Sequence, residues 1–173
     1  AFTVSDGTDT DLLVGVEKIE FTDGVVQAAP TRSTSTKTTI ENGEEEITTI
    51  DGSPYADTIS STTGAETFIG NGGLDKFVFV ANSGVDKILD FTIAGTDTTG
   101  DGTVDSYEKI SLTQDDASNS IGINGTSITS ASSVLQRITS SSDGALIDLG
   151  SSNSITLIGI TASDLTASHF EIL

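Results

Sequence analysis

Residues 52–60 read Gly-Ser-Pro-Tyr-Ala-Asp-Thr-Ile-Ser, residues 61–69 Ser-Thr-Thr-Gly-Ala-Glu-Thr-Phe-Ile, and residues 70–78 Gly-Asn-Gly-Gly-Leu-Asp-Lys-Phe-Val. The three segments align, and a looser fourth copy follows at Gly84-Val-Asp-Lys-Ile88. Asp57, Glu66 and Asp75 are 9 residues apart, and Asp86 follows after 11. Each copy has a turn-forming half that ends in a carboxylate. Two positions later comes an apolar residue, in turn Ile59, Phe68, Phe77 and Ile88. A short fixed period of this kind points to a repeat architecture, and it sets the fold.

The composition narrows the chemistry. Seven Lys+Arg stand against 26 Asp+Glu, a net charge of −19 in 173 residues. Such a chain repels phosphate backbones, which excludes nucleic acid as a partner. It suits calcium, a hard cation that takes oxygen ligands. Cysteine is absent, so disulfides and thiolate chemistry are excluded. With one histidine, His169, an imidazole-built zinc site is excluded, and a Ser-His-Asp triad is a poor expectation. No apolar run approaches the ~20 residues of a membrane helix, so no transmembrane segment is expected.

Outward from the repeats, Thr, Val and Ile runs punctuated by Gly, Asn and Asp predict strands and turns nearly throughout. Residues 1–28 read as strands near Phe2–Ser5, Leu12–Phe21 and Val25–Ala28, with a hairpin turn at Asp23-Gly24. This part is expected to be a strand hairpin ending a preceding module. Residues 29–50 read as a polar bridge or an edge strand. Glu44-Glu45-Glu46 within them reads as a solvated turn or edge. The chain opens at Ala1 directly into a strand-like run, which suggests the C-terminal piece of something longer or a processed product.

The repeats resemble the nonapeptide Gly-Gly-x-Gly-x-Asp-x-(apolar)-x of repeats-in-toxin (RTX), or hemolysin-type, calcium-binding proteins. Lys76–Val80 with Gly84–Phe91 resembles the segment that follows the last repeats in family members exported by type I secretion. Ser132–Ile138 is similar to a short helix of that family, Ala145–Gly150 and Ser154–Ile160 to two strands after it, and Ser163–Phe170 to the turn before the terminus. Gly15–Gly24 resembles a hairpin common in large RTX proteins. The resemblance implies an all-β fold, with a short parallel β-roll at 51–93 whose consecutive strands alternate between two sheets. The roll would run into an antiparallel β cap or sandwich at 109–173 with one short helix near Ala131–Ile138. Val134, Leu135 and Ile138 would face inward. It also implies that carboxylates two repeats apart stack around calcium, Asp57 with Asp75 and Glu66 with Asp86.

The sharpest contiguous candidate lies at 94–108. Residues Asp97 to Glu108 match a twelve-residue, EF-hand-like calcium loop. Asp97 takes position 1, Thr99 position 3, Asp101 position 5, the turn residue Gly102 position 6, the Thr103 carbonyl position 7, Asp105 position 9 and Glu108 position 12. Thr99 stands where Asp or Asn is usual. Ile88–Ile93 and Lys109–Leu112, which flank the loop, read as strands, so the loop is expected to staple rather than to sense. It is the first choice for calcium, and Asp57, Glu66, Asp75 and Asp86 are the second.

These readings converge on a non-catalytic, calcium-binding C-terminal module that is secreted to the extracellular space or cell surface and folds there. His169-Phe-Glu-Ile-Leu173 resembles a type I secretion signal, which names the export machinery as a partner. His169 itself reads as a partly exposed strand or turn residue. The alternative is a structural surface protein, an S-layer, adhesin or filament subunit, that self-assembles through β-strands with calcium. No Gly-x-Ser-x-Gly or His-Glu-x-x-His occurs, and no enzyme is expected.

Overall fold

A computed structural model of the chain describes residues 2–5, 10–13, 19–21, 24–26, 35–41, 44–97, 100, 102, 104, 106–115 and 122–173, with side chains from Thr48 onward. The chain divides into two compact units, Ala1–Ser33 and Thr34–Leu173. In the first, β1 (Phe2–Ser5) pairs antiparallel with β2 (Thr10–Leu13), and β3 (Ile19–Phe21) with β4 (Gly24–Val26). The run expected as one strand from Leu12 to Phe21 is therefore split between two strands with different partners.

The second unit holds β5 (Ser35–Glu41), β6 (Glu44–Asp51), β7 (Thr58–Ser60), β8 (Glu66–Ile69), β9 (Lys76–Phe79), β10 (Val85–Ile88) and β11 (Lys109–Leu112). Helix α1 (Ala131–Leu135) follows, then β12 (Ile138–Ser140), β13 (Gly144–Gly150), β14 (Asn153–Ile158) and β15 (Phe170–Ile172). Among the described residues these strands make two sheets, in the orders β12-β13-β14-β10-β8-β6-β5 and β15-β11-β9-β7. From β6 to β11, successive strands fall alternately in the two sheets. Each pairs in parallel with the strand two along, as in Thr58↔Lys76 and Glu66↔Thr48. The repeat produces this alternation: its turn half crosses from one sheet to the other, and its apolar residue then points between them. Ile59, Phe68, Phe77 and Ile88 are buried in one core shared by both sheets. Phe68 meets Phe77 and Phe79 edge-on, with ring centroids 6.2 and 5.4 Å apart. Each such buried side chain stabilises the fold by about 1.5–3 kcal/mol.

Glycine is required where one coil lies on the next. Gly84 has φ +92°, and a Cβ there would stand 2.5 Å from the Gly64 carbonyl oxygen.

The remainder differs from expectation in particulars. The end of the expected bridge, together with Asp51, forms β6, which lies between β5 and β8, and the acidic run starts that strand; β5 takes the sheet edge. Residues 89–93 lie outside any strand, because β10 ends at Ile88. In the cap, β12, β13 and β14 are antiparallel neighbours as expected, but β14 also lies parallel to β10, and β11 and β15 extend the four-stranded sheet in parallel. The parallel additions follow from the long connections at 113–169 and 89–152, which let later strands continue the ladders the repeats began. Helix α1 is shorter than expected. Ser130 caps it, with its hydroxyl accepting Ser133 N–H, and Val134 is fully buried. Leu135 packs partly against the core, while Ile138 also does so but from β12. No helix among the described residues is long and apolar enough to cross a membrane.

Candidate functional site

The strands position two columns of carboxylates. β7, β9 and β11 are preceded by Asp57, Asp75 and Glu108, and the register Thr58↔Lys76↔Lys109 stands these acids one above the next. Asp75 Oδ1 accepts the Asp57 N–H at 2.8 Å. Asp57 Oδ2 accepts from Ser53 N–H at 2.6 Å and Ser53 Oγ at 2.7 Å. Glu108 Oε2 accepts the Thr92 N–H at 2.8 Å. Beside this column, Asp90 accepts the Gly70 and Asn71 N–H groups at 2.8 and 2.7 Å. The second column is Glu66 with Asp86, set by Thr67↔Lys87. Asp86 Oδ1 accepts the Glu66 N–H at 2.9 Å. Glu66 accepts from Thr62 N–H at 3.3 Å and from the Thr62 hydroxyl.

All five column acids are at or below 4% exposure. The ion pairs among the described residues, Lys76–Glu171 and Arg137–Asp148, lie elsewhere, so no cationic side chain compensates the columns. The cost appears in their proton affinity. Burial, with repulsion from Asp57 and Asp90, pushes Asp75 up to about 6, although the Asp57 N–H opposes it. Burial, with repulsion from Glu66, raises Asp86 to about 7. Burial, with Asp75 and Asp90 nearby, raises Glu108 to about 8. Asp86 Oδ2 and Ser83 Oγ are both buried without a hydrogen-bond partner. Ser83 is close enough to favour the Asp86 anion but is not in hydrogen-bond geometry with it. A buried carboxylate oxygen without a partner is costly unless something positive meets it.

Of the contiguous candidate's ligand positions, Asp97 and Glu108 are among the described residues. Thr96 and Ser106 exchange N–H···O bonds of 2.8 and 3.1 Å, closing the base of a hairpin. Asp97 lies on the loop side, where its two oxygens accept Gly100 N–H at 2.6 Å and Gly102 N–H at 2.7 Å. Gly102 adopts φ +86°, the left-handed turn conformation its position requires. Glu108 lies on the other side of the bridge, in the column with Asp75. Thr99, Asp101, Thr103 and Asp105 lie outside the described residues.

The donors near the columns are carboxylate, hydroxyl and carbonyl oxygens, the chemistry calcium takes and a soft metal does not. Among the described residues, no three acidic or histidine side chains converge tightly enough to hold a metal by themselves. Backbone oxygens or water must therefore complete any shell. The orphaned Asp86 oxygen is the observation that fits a cation. Sequence reasoning missed Asp90, Ser53, Thr62 and Ser83. Asp90 carried a signal, four residues past Asp86 with Ile88 between, whereas the hydroxyls carried none that separates them from the other Ser and Thr residues. His169, expected to be partly exposed, is 2% exposed in a 3-10 turn, because its ring packs against Phe91 and Tyr107.

No protein-family model matches the chain, and a comparison with curated proteins finds no relative.

Proposed function

We propose that this chain is a non-catalytic, calcium-stabilised module of a secreted protein, built as a short β-roll of the RTX type and folded by calcium outside the cell. The observation that carries the reading is the pair of buried carboxylate columns, which have no cationic partner among the described residues and one of which ends in an orphaned oxygen. Asp57, Asp75 and Glu108, flanked by Asp90, and Glu66 with Asp86 are the residues that would hold the ions. Calcium would supply the positive charge that these corners lack. The alternation of strands between two sheets supports the β-roll. Low cytosolic calcium would leave the columns self-repelling and the chain loose enough for type I export, led by a C-terminal segment that the folded state docks as β15. Calcium titrated into chelated protein should raise the melting temperature and increase the β signal in circular dichroism. If excess chelator changes neither, the reading fails.

A second reading, a surface subunit that assembles through strands, is favoured by β7. It forms an edge of the four-stranded sheet, with Thr58 and Ser60 exposed. Size in solution separates the two, since a calcium-driven polymer supports assembly and a monomer supports the export module.

A further inference from the structure

His169 is the one imidazole of the chain, and the repeat does not account for it. Its Nδ1 accepts the Thr166 N–H at 3.0 Å, so the ring proton sits on Nε2. Nε2 lies 3.2 Å from the Ile93 carbonyl oxygen, to which it donates. The rings of Phe91 and Tyr107 meet the imidazole edge-on at 6.0 and 5.1 Å. Phe91 and Ile93 lead into the hairpin closed by Thr96 and Ser106, and Tyr107 leads out of it.

On its other side His169 directly precedes β15. That strand pairs with β11 through Ile110↔Phe170, and Lys109 Nζ donates to the Ser168 carbonyl. Leu173 N–H donates to the Leu112 carbonyl at 2.9 Å, and Gln114 N–H to the Leu173 carbonyl at 3.2 Å. One buried ring thus touches both sides of the hairpin base and begins the last strand.

We propose that His169 is a latch, a positioning residue that makes the 96–106 hairpin base and the C-terminal strand open and close as one unit. If the hairpin base moves away, the buried Nε2–H loses its acceptor and Tyr107 leaves the ring. If β15 leaves, the Ile93 carbonyl and the Tyr107 edge lose what covers them. Opening either half alone breaks the Nε2–H···O bond and the ring contacts that the two halves share, so the joint states are favoured. The buried Phe170 at the head of β15 is then available to a partner only while the hairpin base is open.

Amide hydrogen exchange on the full chain tests this. In the wild type, the Thr96, Ser106 and Leu173 amides should open with the same free energy. His169→Ala should lower the protection of all three together, by about tenfold or more. His169→Gln, whose amide both accepts and donates, should restore part of it. Tyr107→Leu, a change on the hairpin side only, should still lower protection at Leu173. The latch is overturned if Leu173 and the Thr96–Ser106 pair open at different free energies in the wild type. It is also overturned if Tyr107→Leu leaves Leu173 unchanged. The latch does not depend on the metal reading. Calcium that raises all three protections together supports both, while three amides that move together but ignore calcium support the latch and sink the metal reading.

Discussion

The hairpin at 96–106 and the carboxylate columns are both acidic, yet they solve opposite problems. Asp97 sits in a loop whose own backbone N–H groups satisfy both its oxygens. The column acids come from successive turns of the chain and are buried; Asp75 and Asp86 each accept the N–H of the acid stacked on them, while Asp57 and Glu66 accept from Ser53 and Thr62 in their own turns. The Asp97 contacts are therefore local, whereas the columns exist only once the strands have stacked, and stacking sets their charges against one another. Contiguity makes a site easy to read, but burial decides where a cation is needed. Glu108 belongs to both sets, since it ends the contiguous run and stands over Asp75 in the column.

The largest expected effect separates the two regions directly. At ten times its dissociation constant each filled site adds about 1.4 kcal/mol. Two filled columns would add about 2.8 kcal/mol, roughly 6–11 °C in melting temperature for a domain of this size. Asp86→Asn or Asp75→Asn should remove much of that rise, and Asp97→Asn should leave most of it. Calorimetric titration of the three variants decides it. A rise lost only in Asp97→Asn would put the calcium in the hairpin and break the comparison.

Proton linkage gives the next effect. Asp75, Asp86 and Glu108 are raised in the folded, metal-free chain to about 6, 7 and 8, from 3.8, 3.8 and 4.5. Between these limits the folded state holds more protons than the unfolded one, so stability falls as pH rises. The contribution is fully present below about pH 4 and is lost as pH climbs through 6 to 8, by up to about 1.4 kcal/mol per pH unit for each group. Urea midpoints of the chelated protein should be higher at pH 5 than at pH 8, and calcium should flatten the trend. A chelated protein that is more stable at pH 8 would mean that the columns are not buried in solution.

Coil stacking can be loosened without touching a carboxylate. Gly84→Ala places a Cβ against the Gly64 carbonyl at a left-handed φ, beside the Asp86 corner. It should cost about 1–3 kcal/mol and weaken calcium binding at Glu66 and Asp86 more than at the other column. Gly102→Ala, also left-handed but with open space around its Cβ, should cost less. Thermal melts of the two variants in calcium rank the stacked coils against the hairpin.

What the sequence made legible follows the same division. The positions of Ile59, Phe68, Phe77 and Ile88, and of the acids two residues before each, set the strand phase and which side chains turn inward. Pairing between coils was legible only as far as the step was regular. Thr58↔Lys76 spans 18 residues, but Lys76↔Lys109 spans 33, because the hairpin is inserted between β10 and β11. That interruption hid Glu108 from the column and left it in the contiguous loop. The return of β15 to β11, the place of β6 inside a sheet and the burial of His169 all depend on contacts across long stretches of chain. No local pattern encodes them.

The smallest effect contrasts the two faces of one sheet. Glu171 lies on β15, paired with Lys76 at 2.7 Å and accepting from Ser111 Oγ at 3.0 Å, with its side chain 43% exposed. The hydrogen bond from Lys76 holds its carboxyl below the usual range. Its sign is opposite to that of the column acids, since its stabilisation is present above its ordinary value and fades as pH falls through the lowered one. Solvent screens the pair, so Glu171→Gln should cost less than about 1 kcal/mol and leave calcium binding unchanged. Glu108, just before the neighbouring strand β11, belongs to the buried column, and the comparison is with Glu108→Gln. That substitution should stabilise the chelated protein at pH 8, where it removes a carboxyl whose ionisation burial opposes, and weaken calcium binding. If the two substitutions behave alike in urea melts with and without calcium, then position on the inner or outer face is not what sets the role of a carboxylate here.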